Sequence, residues 1–380
     1  MDAERPVRGV KLQKTQVAVI DVGSSKITVI VGERGVNKTF IIKARKDYPY
    51  DGFADGEFFD TADVKKILFS AADFVSSAMK RDGSRVYVGV PGEFTKVDVT
   101  SGQRSFSGKK RIGETDVDTL FDSAFVPASA KYSLINRSAI VYELDDYRRL
   151  ANPIGSASEI LKGTLSFIVC SNYFIETVKN TLKAAGLNGV ECVSSSLAEI
   201  MYLLEPETRD RIAMLLDVGY ISATFSLVQG DGILYQRSFP YGGGYITAAL
   251  TQRFGLDFDV AEELKRKVNL SAECGDNNRL ITLSDGSYHT SASSAAVVKE
   301  SLDVLCEEIE PCMENSGYSI PEYVPLMITG GGISYLRGAK EHVANRTGLS
   351  VEVVAPKVPL MDKPTESSAL SLLNLTFSDD

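Results

Sequence analysis

Three short stretches of this 380-residue chain carry residue types suited to holding a charged ligand. The first, Asp21-Val22-Gly23-Ser24-Ser25-Lys26, closes an apolar run. Gly23 permits a tight turn, Ser24 and Ser25 add hydroxyl and amide donors, and Lys26 supplies a positive point charge. Asp21 stands where a carboxylate would order water around a magnesium ion. The second stretch, Asp217-Val218-Gly219, ends another apolar run in the same way. The third, Thr329-Gly330-Gly331-Gly332, follows the apolar VPLMIT. Read as a strand-to-helix turn, its glycines would admit a ligand to the backbone and its helix N-terminus would favour an anion. Together these residues suit a nucleoside triphosphate with magnesium. Asp21 and Asp217 are the candidate catalytic carboxylates, and the metal is held through water near Asp21 without a direct protein ligand.

The elements that must position these turns are written twice. Residues 17–32 (VAVIDVGSSKITVIVG) align without a gap to residues 213–228 (AMLLDVGYISATFSLV), and each copy precedes another strand-like run, TFIIKAR or ILYQRSF. A duplication at this distance predicts two related domains whose hairpin turns face each other across a cleft. A chain of this length exceeds one hydrophobic core, which agrees. TADVKKILFSAADFVSSAMK (61–80) reads as an amphipathic helix capped by Thr61, and NYFIETVKNTLKAAGL (172–187) as another. Residues 86–163 differ in texture and read as a small α/β insertion, after which GTLSFIVCS (163–171) returns to a buried strand of the first domain. Strands alternating with helices in both halves predict two α/β domains.

Composition removes other classes. The formal net charge of −9 argues against a nucleic-acid scaffold. No apolar run approaches the ~20 residues of a membrane span, and the polar N-terminus lacks a signal segment. Five cysteines without a C-x-x-C pair, with two histidines, favour neither a zinc site nor a disulfide framework. A cytoplasmic, reduced protein is expected. Residues 1–14, with Arg5, Arg8, Lys11 and Lys14, read as a flexible arm.

The order of motifs resembles that of the actin-like ATPase superfamily and, within it, the FtsA family of bacterial cell division. The narrower resemblance rests on VAVIDVGSSKITVIVGE, DGFADGEFFD, the insertion starting at VYVGVPG, LSFIVCSNYFIETVKNTLKAAGL, DVGYISATFSLVQGDGILYQRSFPYGG, DVAEELKRK and ITGGGISYLRGAKE, across roughly residues 15–376. It implies an actin-like α/β fold of two duplicated ribonuclease-H-like domains around a nucleotide cleft, with an FtsA-type inserted subdomain. The implied division is 1–14 as the arm, 15–85 and 164–212 as the first domain, and 86–163 as the insertion. Residues 213–265 and 324–361 would form the second domain, 266–323 a small partner-binding subdomain, and 362–380 a C-terminal helix and tail. ATP with Mg2+ is the implied cofactor. Gly23, Ser24, Ser25 and Lys26 would form the first phosphate loop and Gly219 part of the second. Gly330, Gly331 and Gly332 would flank the adenosine, and Glu262 with Lys265 would hold ribose and adenine. The implied partners are the C-terminal tail of FtsZ, docking near residues 266–325, further copies of the chain in a filament, and other division proteins through the insertion, at the cytoplasmic face of the membrane.

The chain also departs from the family. Where the second phosphate loop usually continues Asp-x-Gly-Gly-Gly-Thr, this one reads Asp217-Val218-Gly219-Tyr220-Ile221. Tyr220 occupies space for a terminal phosphate, and Ser222 and Thr224 are replacement donors out of register, implying at most a weak ATPase. Ser194-Ser195-Ser196 stands where the family tends to show Glu-Pro, removing a carboxylate; Glu199 is a candidate substitute, but reads rather as a helix residue at the core edge. The sequence ends in Asp379 and Asp380, which anionic lipid repels, so either it is a piece of a longer chain, or a partner supplies the membrane link, or the basic arm does. Two alternatives share the fold: a pilus-assembly platform that binds a membrane partner's peptide, and a sugar or acetate kinase, for which no positioned general base is evident.

Overall fold

The computed structural model describes residues 16–35, 39–79, 85–127, 129–271 and 279–378. The expected arm at 1–14, and Asp379 and Asp380, lie outside the described residues. The repeated apolar runs become the central strands of two five-stranded sheets. In the first half the order is Val190–Ser194, Arg85–Val90, Gln16–Val22, Lys26–Arg34, Phe40–Pro49; in the second it is Val351–Val353, Leu326–Thr329, Ala213–Val218, Ala223–Gln229, Gly232–Phe239. Each sheet starts as an antiparallel three-strand meander and gains two parallel strands beside its first strand. The duplication in sequence is thus a duplication of strand order. Gln16–Val22 is buried along its whole length, as a strand covered on both faces must be.

Register places the two acidic residues equivalently. Asp21 pairs with Thr28 on the antiparallel side and Gly89 on the parallel side, and Asp217 pairs with Thr224 and Thr329. Both end a central strand facing the space between the halves.

The inserted sheet is shifted from the expected 86–163. Arg85–Val90 belongs to the first-half sheet, where it pairs in parallel with Gln16–Val22. Thr95–Arg111, Ala157–Ser171, Tyr132–Leu144 and Arg149–Leu150 form a separate four-stranded sheet in that order. The expected boundary at 163/164 falls inside the 15-residue strand Ala157–Ser171, which stays in the inserted sheet to its end. An apolar strand does not announce which sheet it will join, because pairing partners are distant in sequence. The helix Glu114–Ala124 covers this sheet, packing Leu120 and Phe121 on Leu165 and Phe167.

The first long helix runs Thr61–Ala78, and Asp60, not Thr61, caps it. The Asp60 carboxylate accepts from the amides of Ala62 and Asp63 at 2.8 and 3.1 Å. The last helix, Ser367–Ser378, leaves the second half and returns to the first-half sheet, where Leu370, Leu372 and Leu373 are buried against Val17, Val19 and Ile30. Each fully buried leucine contributes roughly 2 kcal/mol, which holds this crossing in place. The crossing sets Ser368 beside Asp21. No helix among the described residues is long and apolar enough to cross a membrane.

Candidate functional site

The two hairpin turns are built alike. The Gly23 amide donates to the Lys26 carbonyl at 3.0 Å, and the Gly219 amide to the Ser222 carbonyl at 2.9 Å. Tyr50 fixes the first turn by donating its hydroxyl to the Gly23 carbonyl. Between the turns lies a cavity of about 180 Å3, lined by Asp21, Gly23, Ser24, Ser25, Lys26, Asp217, Gly219, Gly330 and Gly331 among the expected residues. Gly332, Glu262 and Lys265 do not line it.

The cavity is acidic. Burial pushes the Asp21 carboxyl up to about 6, against opposing help from the Ser368 hydroxyl, which donates to it at 2.7 Å. Asp217 is pushed up to about 7 by desolvation and then by the Asp21 charge. Glu199, read from the sequence as a core-edge helix residue in preference to a substitute carboxylate, faces the cavity. It is 2% exposed, lines the cavity, and is raised well above the carboxylate range by burial and the charges of Asp217 and Asp21. Its Oε1 and the Ser195 Oγ are buried without a hydrogen-bond partner among the described residues. A carboxylate therefore does face the cavity, one helical turn after Ser195. The i, i+4 spacing from Ser195, which puts both on one helix face, was the signal available.

These raised values make stability fall with pH. Between the ordinary carboxylate range and about pH 7 the folded state holds protons that the unfolded chain has released. Asp217→Asn is expected to stabilise the protein by on the order of 2 kcal/mol at pH 8 and to lose that advantage at pH 5. Urea unfolding at the two pH values checks it, and an equal gain at both would sink the cluster's electrostatic role.

Lys26, expected to face phosphate, lines the cavity and pairs with Asp47 at 2.8 Å. The three glycines do not open a helix. After Leu326–Thr329 the chain makes successive turns and the helix begins only at Ala339, so no helix N-terminus faces the cavity from this loop. The Ser334 hydroxyl donates to the Gly330 carbonyl at 2.6 Å, folding the segment on itself, and the Gly332 amide donates to the Val218 carbonyl at 2.7 Å, tying it to the second-half central strand.

Glu262 and Lys265 do meet, Nζ to Oε2 at 2.6 Å across one helix face. Lys265 is 1% exposed, and its ammonium also donates to the Gly243 carbonyl and the Thr247 hydroxyl, each at 2.8 Å. Tyr220 stands between this pair and the cavity. Its ring centre lies 5.4 Å from the Lys265 ammonium and its hydroxyl 3.5 Å from Glu262 Oε2.

The carboxylates suit a hydrated divalent cation. Three of them face one cavity, one with an unpartnered buried oxygen, although no group of three or more His, Cys, Asp or Glu among the described residues is placed to ligate a metal directly. A nucleoside does not fit this arrangement. The cavity is smaller than the ~300–1,000 Å3 usual for such ligands, and Tyr220 separates it from Glu262 and Lys265.

Comparison with known proteins defines the class first. The chain superposes on the protein of a PilM–PilN type IV pilus biogenesis complex with a TM-score of 0.61 at 17% identity, covering 96% of this chain and 98% of that one. It superposes on MreB5 of Spiroplasma citri bound to AMPPNP with a TM-score of 0.54 at 11% identity, covering 96% and 97%. The chain is an actin-fold protein. Within that class its sequence relatives include the cell division protein FtsA of Staphylococcus epidermidis, 22% identical over 95% of this chain and 79% of that protein. FtsA of Streptococcus pneumoniae is 23% identical over 65% of this chain. The resemblance to FtsA is upheld, and the match spans about half (54%) of the length of the pneumococcal relative. The family model described as type IV pilus assembly protein PilM matches residues 167–280.

Proposed function

We propose that this chain is an FtsA-type actin-fold adaptor that assembles with copies of itself and connects the FtsZ division ring to the membrane. The similarity to FtsA across 95% of the chain is the observation that carries this reading. A second observation supports a docking site for a carboxylate-bearing tail. A cavity of about 410 Å3 is lined by Arg266, Lys267 and Arg279, from or beside the expected small subdomain, and by Tyr335 and Arg337 of the second half. Such a lining suits an extended segment carrying carboxylates. ATP with Mg2+ is the cofactor the resemblance implies. The carboxylates of Asp21, Asp217 and Glu199 support the cation, whereas the nucleoside would have to displace Tyr220.

Fluorescence anisotropy with a labelled FtsZ C-terminal peptide tests the docking. The parent protein is expected to bind it, and the paired Arg266→Glu and Arg337→Glu substitutions to weaken binding at least ~10-fold. A peptide that ignores both charge reversals would exclude this cavity. The PilM family match over 167–280 favours a second reading, a pilus-assembly platform. Binding of a pilus membrane partner's peptide in preference to the FtsZ tail would decide for it.

A further inference from the structure

Four backbone donors on the second-half side of the cleft are already in use. Ser24 Oγ accepts from the amides of Tyr220 and Ile221 at 3.0 and 3.1 Å, across the gap between the halves. The Ile221 side chain reaches the same way. A Cβ added at Gly52, in the first half, would lie 2.6 Å from Ile221 Cδ1. On the other side of the turn, the amides that open the helix Gly243–Phe254 are taken by the same loop, Gly243 donating to the Gly219 carbonyl at 3.0 Å and Gly244 to the Tyr220 carbonyl at 2.7 Å. The Tyr220 ring rests on that helix start, since a Cβ at Gly244 would lie 3.1 Å from its Cε1. A helix N-terminus and two turn amides are strong anion donors, and here protein oxygens satisfy them.

We infer that this chain shuts its own cleft: the Ser24 hydroxyl takes the bridging position a phosphate would hold between the two turns, and the Tyr220 side chain takes the nucleoside position. The two halves are thereby clamped without nucleotide, by contacts that a nucleoside triphosphate would have to break. Tyr220 and Ile221, which replace the small residues expected in the second loop, are the residues that make the clamp. A closed actin-fold body then presents its docking surfaces constitutively, in place of a nucleotide cycle. This inference rests on the actin-type reading of the cleft and not on the choice of peptide partner.

Two measurements on the full chain test it. Calorimetry with ATP and excess Mg2+ is expected to show no saturable binding by the parent up to roughly 1 mM, and binding at least ~10-fold tighter in the Ser24→Ala, Tyr220→Gly double variant. Hydrogen exchange without nucleotide is expected to show slow Tyr220 and Ile221 amides in the parent, with at least ~10-fold faster exchange in Ser24→Ala while the central strands stay protected. Ser24→Ala alone carries the test if the double variant does not fold. Micromolar ATP binding by the parent overturns the inference, as does a folded double variant that gains no affinity, or parent amides exchanging as fast as those of Ser24→Ala. Loss of FtsZ-peptide binding with both measurements as expected would overturn the adaptor reading alone.

Discussion

Lys265→Met is expected to destabilise the protein by about 3–5 kcal/mol, the range for breaking a buried ion pair from one side. The ammonium is 1% exposed and satisfies three acceptors at once: Glu262 Oε2 at 2.6 Å, and the Gly243 carbonyl and Thr247 hydroxyl at 2.8 Å. Burial alone would lower the lysine's affinity for its proton, and the Glu262 carboxylate opposes that. Methionine fills the volume but leaves the Gly243 carbonyl and the carboxylate short of a donor, so the loss reports unpaired polar groups and not a cavity. Glu262→Gln in the same chain is expected to recover part of the loss, because it removes the charge that Lys265 had balanced. Arg266, 3.2 Å from the other carboxylate oxygen, limits that recovery. A double-mutant cycle by urea unfolding measures the coupling, and a cycle with no interaction term would show the pair to be a bystander. The same variants read the proposed clamp. Lys265 supports the ring of Tyr220, so Lys265→Met should also speed exchange at the Tyr220 amide.

Gly330→Ala should cost a similar amount, about 3 kcal/mol or more, for a steric reason. Gly330 has φ of 87°, a left-handed conformation that glycine adopts freely and alanine does not. An added Cβ would also collide with Asp217 Oδ1 and the Val218 carbonyl. The Val218 carbonyl belongs to the second-half central strand, which cannot move without disturbing its pairing with Ala223. The substitution therefore strains the backbone and pushes a carboxylate already held above its ordinary range by desolvation. Thermal unfolding of Gly330→Ala beside Gly348→Ala separates the two causes. Gly348 has φ of 74° but nothing near its added Cβ, so it carries the conformational cost alone. Equal losses at both positions would mean that the contact with Asp217 contributes nothing.

The apolar runs and the turns between them were legible because both are local. Residues 17–32 and 213–228 form hairpins whose strands are neighbours in the chain, and alternation with a central Asp-Val-Gly is enough to specify them. The same locality carried the i, i+3 placement of Glu262 and Lys265 on one helix face. The membership of Arg85–Val90 and Ala157–Ser171 in different sheets was not written locally, since each is an apolar strand with distant partners. Nor did local pattern separate the loop at Gly330 from a helix start, because the backbone bond that anchors it runs to Val218 in another strand.

By itself the sequence determined two matched α/β halves, two acidic turns at the ends of central strands, and the substitutions at Tyr220 and Ile221 that set this chain apart. Only the tertiary structure decided what those turns face. It brought Glu199 into the cavity, sealed Lys265 from water, turned Lys26 toward Asp47, and joined Ser24 to amides 196 and 197 residues away. Hydrophobic periodicity sets which face of a strand or helix is buried, but a hydrogen bond across a cleft depends on how two finished sheets pack, and no short window of sequence contains that geometry.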